Sequence, residues 1–286
     1  MTARIAITPL ESWIAAKIGR HDPLFTPGES SLSREALESY QLAKLNETLS
    51  LVRESSRFYR RLLRDSDTSL SSLDQLADLP FTTPEDLRSA PLDLVCVPPD
   101  EVDRIVTLPT SGTTGPPKRV FFTRDDQELT RDFFHWGMST LVEPGDRVLI
   151  LLPGEVPGSV GDLLREGLAR MDVEGIPHGP VTDLSHTLAV MESERATALV
   201  GIPVQVLGLA RLGAGRRRLG LRSVLLSTDR VPRVVARTIE ETWGCAVYNH
   251  YGTTEMGLGG GVDCSVRAGY HLREADLYFD VIDPPS

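Results

Sequence analysis

The chain has 286 residues, enough for one large domain or two smaller ones with a substantial core. A formal charge of −10 argues against nucleic acid or an anionic membrane as the main partner, so any bound polyanion must be gripped locally. No apolar run approaches the roughly 20 residues that span a bilayer, and no charged segment followed by an apolar one marks a secretory leader. Cys96, Cys245 and Cys264 form an odd, scattered set, which predicts reduced thiols and a cytoplasmic protein.

In chain order, helices come first. After Ser33, Leu42, Leu45, Leu49, Val52, Tyr59 and Leu63 recur at helical spacing and predict an amphipathic helix or pair of helices. FTTPEDLR predicts another helix start, with Thr83 as cap, Pro84 at the first helical position and Glu85 and Asp86 at the positive helix end. Residues 1–104 thus read as a helical segment leading into a larger domain.

From residue 105 short apolar runs alternate with helical stretches. The predicted strands are Ile105 to Leu108, Val120 to Thr123, Val148 to Leu152, Ala198 to Ile202, Val224 to Leu226 and Ala246 to Asn249. VPRVVARTIEETWG predicts a helix closed by Gly244. The alternation predicts an α/β fold with a largely parallel sheet over 105–286, part of the same large domain. In such sheets ligands bind beyond the carboxyl ends of strands. Four unusual loops follow strands here: TSGTTG, LPGEVPGS, STDR and HYGTTEMG.

LPTSGTTGPPKR carries Lys118, one of three lysines in a chain that otherwise uses arginine. Thr110, Ser111, Gly112, Thr113, Thr114 and Gly115 offer backbone N–H groups and hydroxyls suited to an anion, and a lysine adds a point charge. The motif is not a Walker A loop, because Pro116 and Pro117 separate Gly115 from Lys118 and a strand-like run follows. The two flanking strands therefore predict a hairpin. In YNHYGTTEMGLGGGVDC, Glu255 beside an anion site makes sense as a Mg²⁺ ligand, and Tyr251 can stack on a base. Taken singly, Tyr251 reads first as core packing and Glu255 as a helix-start carboxylate.

Together, TSGTTGPPK and YGTTE resemble the paired signature of the adenylate-forming superfamily, which includes acyl- and aryl-CoA synthetases. LPFTTPEDLR, GDRV, RFYRRLLRD and YGTTEMGLGGGVDC…GYHLREADLYFDVIDP look like phenylacetate–CoA ligase relatives, in order along nearly the whole chain. The resemblance implies the N-terminal domain of the adenylate-forming fold, with layered, mostly parallel sheets and helices. It implies that Ser111, Gly112, Thr113, Thr114, Gly115 and Lys118 embrace the β- and γ-phosphates of ATP. Tyr251 would stack on adenine, Thr254 would touch the α-phosphate and Glu255 would hold Mg²⁺, the last two forming the catalytic pair. Asn249, Gly252 and Thr253 complete the nucleotide set. Ser227, Thr228 and Asp229 align with a segment bordering the adenine, where the usual small residues are replaced. Gly257, Gly259, Gly260 and Gly261 would line the acyl pocket.

The implied reaction joins a carboxylate to the α-phosphorus of ATP, releasing pyrophosphate, and then passes the acyl group to CoA. The implied partners are a small aryl or related carboxylic acid, ATP and CoA, with neither nucleic acid nor membrane, and a homodimer is compatible with the reading. Relatives continue into a ribose-binding aspartate and a small C-terminal domain with a catalytic lysine, whereas this sequence stops at VIDPPS. The expectation is the truncated nucleotide-binding portion of such a ligase. The alternative is a non-catalytic binder of nucleotide or acyl-adenylate. Cys264 and His271, near His250 and Cys245, fall short of a four-ligand zinc cluster and read as a small hydrophobe and a hydrogen-bonded loop residue. His135 reads as helix packing.

Overall fold

Local capping chemistry explains where the helices start. The structure, a computed structural model, describes residues 8–19, 33–108, 117–215 and 219–281. The chain divides into two compact units: residues 1–13 with 127–273, and residues 14–126 with 274–286. The first helix, α1 (Pro9–Gly19), follows a reciprocal cap. The Thr8 N–H donates to Glu11 Oε2 at 2.7 Å, and the Glu11 N–H donates to Thr8 Oγ1 at 3.2 Å.

In the second unit, α2 (Arg34–Ser55) is capped by Ser33, whose Oγ accepts the Ala36 N–H at 3.1 Å. Ser56 ends α2 and caps α3 (Arg57–Leu62). Its hydroxyl accepts the Tyr59 N–H and donates to the Asp93 carbonyl, so the helical pattern resolves into a pair bent at a buried serine. Leu49, Leu63 and Leu70 form the local core, with Leu42, Leu45, Val52 and Tyr59 packed on it. The next helix, α4 (Pro84–Ser89), starts at Thr83, with Asp86 closing the reciprocal cap. Strands β1 (Val102–Leu108) and β2 (Lys118–Thr123) pair antiparallel with Leu108 opposite Lys118. That register is the one a hairpin requires. The Ser111 to Gly115 run that joins these strands lies outside the described residues.

After residues 1–13, the first unit resumes within α5 (Arg124–Met138) and continues through β3 (Arg147–Ile150), α6 (Val160–Ala169), β4 (Glu174–Pro177) and α7 (Leu184–Ser193). β5 (Ala198–Gly201), α8 (Pro203–Leu212), β6 (Ser223–Leu226), α9 (Arg233–Trp243), β7 (Ala246–Tyr251), β8 (Gly261–Asp263) and β9 (Tyr270–Leu272) complete it. The sheet order is β4-β3-β5-β6-β7-β8-β9, parallel from β4 to β7 and antiparallel for β8 and β9. β5 and β6 are buried along their whole length, which is why ALVG and SVLL are apolar runs rather than alternating ones. Leu149, Leu151, Leu199, Val224, Leu226 and Val247 pack with Leu188, Met191, Val206, Leu209 and Ile239 from the helices. Gly244 closes α9 at φ 69°, the left-handed cap expected of it.

Three strands were not legible. EGIP carries a glycine and a proline and forms the edge strand β4, a position in a sheet that tolerates proline. β8 and β9 have only three residues each. No helix among the described residues is long and apolar enough to cross a membrane.

Candidate functional site

Because β3, β6 and β7 run parallel, the loops after them leave the same edge of the sheet. LPGEVPGS leaves β3, STDR leaves β6 and HYGTTEMG spans the end of β7. Near the first, Gly161 lies so close to residues 152–154 that a Cβ there would sit 2.8 Å from the Pro153 carbonyl oxygen. After β6, Ser227 is buried and Thr228 takes φ 74°, a conformation uncommon for a β-branched residue and of the kind that gathers at functional sites. Asp229 follows and accepts the Arg230 N–H at 2.7 Å.

The STDR and HYGTTEMG segments are tied together. A 2.8 Å hydrogen bond joins Ser227 Oγ to His250 Nδ1. The His250 ring packs against Phe133 and Phe134 of α5, centroids 5.9 and 6.4 Å away. Burial lowers its pKa to about 4, so the ring is neutral, and its Nε2 is sealed from solvent without a hydrogen-bond partner among the described residues.

Next along β7, Asn249 is held by Asp263. The Asn249 backbone N–H and Nδ2 both donate to Asp263 Oδ2, at 3.0 and 2.6 Å. A carboxylate can only accept, so the amide nitrogen must face it and Oδ1 must point the other way. Asn249 Oδ1 is enclosed there and accepts no hydrogen bond from the described residues. Tyr251 presents its ring at the surface, 42% exposed, with the Tyr270 ring 5.8 Å away.

Beyond Tyr251 the chain passes through Gly252 and Thr253 into a 3-10 turn, Thr254–Met256, on which Glu255 is exposed. Gly257 follows at φ 73°. This loop is pinned from beneath. Thr130 Oγ1 donates to the Gly257 carbonyl at 2.9 Å, and Arg273 Nη2 donates to the Met256 carbonyl at 2.7 Å. Arg273 is itself buried, its guanidinium carbon 5.7 Å from the Phe133 ring centroid. A Cβ at Gly259 would run into the Phe133 ring, and one at Gly260 would come within 2.6 Å of the Met256 sulfur. Gly261 opens β8, where a Cβ would meet Leu272 at 2.9 Å. The glycines therefore let the loop lie flat on α5 and β9.

The structure thus brings Ser227, Thr228, Asp229, Asn249, Tyr251, Gly252, Thr253, Thr254, Glu255, Gly257, Gly259, Gly260 and Gly261 into one unit, around the ends of β6 and β7. Lys118 starts β2 in the other unit, and Ser111, Gly112, Thr113, Thr114 and Gly115 fall outside the described residues. Sequence reasoning missed Asp263, His250 and Arg273. Asp263 carried a faint signal, since an acidic residue closing a glycine run in an apolar context must find a donor.

Cys264 and His271 share a hydrogen bond, and His271 Nδ1 lies 2.8 Å from Glu11 Oε1. Burial opposes ionisation of Cys264, but bonds from the Val266 N–H and His271 outweigh it and hold the thiol below its ordinary value. Among the described residues no three His, Cys, Asp or Glu side chains converge as a metal cage. A magnesium ion held against phosphates needs no such cage, since one or two carboxylates complete its shell.

A mostly parallel sheet covered by helices, with a glycine-rich, hydroxyl-bearing loop beyond one strand, defines an open α/β protein whose ligands bind beyond the carboxyl ends of the strands. The chain belongs to the AMP-binding enzyme family, whose profile matches residues 33–276. It is 28% identical over 280 residues to the phenylacetate-coenzyme A ligase of Thermus thermophilus, a match covering 92% of this chain and 61% of the relative. The chain therefore spans about three fifths of that relative's length. The same fold occurs in 2-hydroxyisobutyryl-CoA ligase in an open conformation with 2-HIB-AMP and CoA (TM-score 0.75, 21% identity, 88% of this chain, 64% of that one). It also occurs in that ligase in its thioesterification state (TM-score 0.75, 22% identity, 88% and 59%).

Proposed function

We propose that the chain is the nucleotide-binding part of an AMP-forming acid–CoA ligase that activates an aryl or related carboxylate in the cytoplasm, with residues 105–286 gripping the nucleotide. One observation carries the reading. Tyr251 presents an exposed ring at the end of β7, beside a glycine-rich, hydroxyl-bearing loop, and adenine supplies a face to stack on it. Membership of the AMP-binding family and the likeness to the phenylacetate-coenzyme A ligase support it.

The residues take these parts. Tyr251 stacks on the base and Asn249 lies beside it. Thr254 donates its hydroxyl to the α-phosphate, and the Ser111–Gly115 run with Lys118 holds the β- and γ-phosphates. Ser227, Thr228, Asp229, Gly252 and Thr253 border the nucleoside, and Gly257, Gly259, Gly260 and Gly261 border the acid. Glu255 suits Mg²⁺, which when bound neutralises phosphate charge. The protein contributes positioning and charge balance while the carboxylate oxygen bonds to the α-phosphorus and pyrophosphate leaves with the electron pair of the broken P–O bond. CoA thiol then takes the acyl group from the mixed anhydride, releasing AMP.

Incubation with ATP, Mg²⁺, CoA and a panel of aryl and alkyl acids, followed by chromatography of the nucleotides, tests the proposal. AMP that forms only when an acid is present supports it. ADP as the product, or no saturable nucleotide binding, contradicts it, whereas binding with little or no AMP is what a nucleotide-binding part acting alone gives.

A further inference from the structure

The turn that carries Glu255 is too short to hold its own shape. Thr254–Met256 is a single 3-10 turn, closed by the Gly257 N–H on the Thr254 carbonyl at 3.2 Å and followed by Gly257 in the left-handed region. So short a turn leaves its last carbonyls without donors of its own, and glycine adds backbone freedom. Buried side chains from α5 and from the end of β9 supply those donors. Thr130, 2% exposed, donates to the Gly257 carbonyl, and Arg273, 3% exposed, donates to the Met256 carbonyl. The Arg273 N–H in turn donates to the Gly260 carbonyl at 2.8 Å, and its guanidinium lies against the Phe133 ring, so this donor is fixed at both ends. Tyr251 is held separately. It stands opposite Gly261 in the β7–β8 pairing, and its carbonyl accepts the Gly260 N–H at 2.9 Å.

We propose that Thr130 and Arg273 are positioning residues for the metal-binding carboxylate: by holding the successive Gly257 and Met256 carbonyls, they keep Glu255 where a magnesium ion on the triphosphate can take it as a ligand. The inference rests on the nucleotide reading above. Magnesium demands near-octahedral geometry at short range, so a carboxylate spread over several positions loses much of its affinity for it. Aromatic stacking is satisfied over a wider range of separations, and Tyr251 does not hang on these tethers. Loosening the turn therefore costs the metal far more than the base.

The experiment titrates Mg²⁺ at fixed ATP and reads the ATP bound by equilibrium dialysis, with AMP binding measured alongside, for the parent, Thr130→Val and Thr130→Ser. Valine fills the site without a donor, whereas serine keeps the donor and gives up a methyl group. In Thr130→Val the Mg²⁺ concentration for half-maximal ATP binding is expected to rise about tenfold or more, as when a group that orients a metal ligand is lost, with AMP affinity held within about threefold. Thr130→Ser is expected to restore the parental Mg²⁺ requirement, a rescue that loss of packing alone does not give. Arg273→Lys keeps the buried charge but not the planar fork, and is expected to raise the requirement as valine does. Thr130→Ala replaces the valine variant if that one does not fold, with the same expectation. An unchanged Mg²⁺ requirement in the folded variants, or equal losses for ATP and AMP, overturns the proposal. ATP binding by the parent that ignores Mg²⁺ overturns it while leaving nucleotide binding intact, and no saturable binding of either nucleotide by the parent overturns both.

Discussion

Ser227 and His250 join the loop after β6 to the end of β7 through one 2.8 Å hydrogen bond, and burial holds that imidazole neutral with a pKa of about 4. In the unfolded chain the same ring has the ordinary value near 6.5. As pH falls below about 6.5 the unfolded ring gains a proton while the folded one does not, so stability is lost between roughly pH 6.5 and 4. Above that window the group has no pH-dependent effect. His250→Gln keeps a hydrogen-bonding partner for Ser227 and does not titrate. Chemical denaturation at pH 7, 6 and 5 should show a shallower decline for the variant, the difference approaching about 1.4 kcal/mol per pH unit at its steepest. Parallel declines would mean that the folded ring titrates normally.

Gly259 lies against Phe133 with no room for a methyl group. Gly259→Ala should destabilise the protein by about 1–3 kcal/mol, the usual cost of overpacking. Trimming the ring in Gly259→Ala/Phe133→Leu should recover part of that loss, a coupling that thermal melts of the four combinations will resolve. Parental stability in the single variant would mean that the loop stands away from α5.

These two cases show what was legible in the sequence. The buried parallel strands were, since ALVG and SVLL must be apolar along their length when both faces are covered. Thr83, Pro84 and Gly244 announced their helix ends through capping chemistry that acts within a few residues. The TPLE start of α1 carried the same kind of signal in Thr8 and Glu11. Tyr251 and Glu255 could be named from the loop motif. Asp263, 14 residues beyond Asn249, could not, because its partner is set by how β8 returns along β7. Arg273 was hidden likewise: a buried guanidinium under Met256 and Phe133 is a product of tertiary packing.

Glu255 is exposed on its 3-10 turn and is not part of the core. Glu255→Gln should therefore leave the melting temperature nearly unchanged, within the roughly ±0.5 kcal/mol usual for surface sites. The Mg²⁺ dependence of ATP binding should disappear. Unfolding at lower temperature with an intact Mg²⁺ response would give the carboxylate a structural role instead.

Nucleotide binding itself is the central claim, and calorimetric titration of the chain with ATP and with AMP, in Mg²⁺, tests it most directly when Lys118→Ala is run alongside. The account predicts one saturable site for each nucleotide on the parent. In the variant ATP should weaken by about tenfold or more while AMP changes little, because a charge-assisted contact to the β- and γ-phosphates contributes about 1.5–3 kcal/mol and AMP lacks those groups. Equal losses for ATP and AMP, or no saturable binding of either by the parent chain, would contradict it.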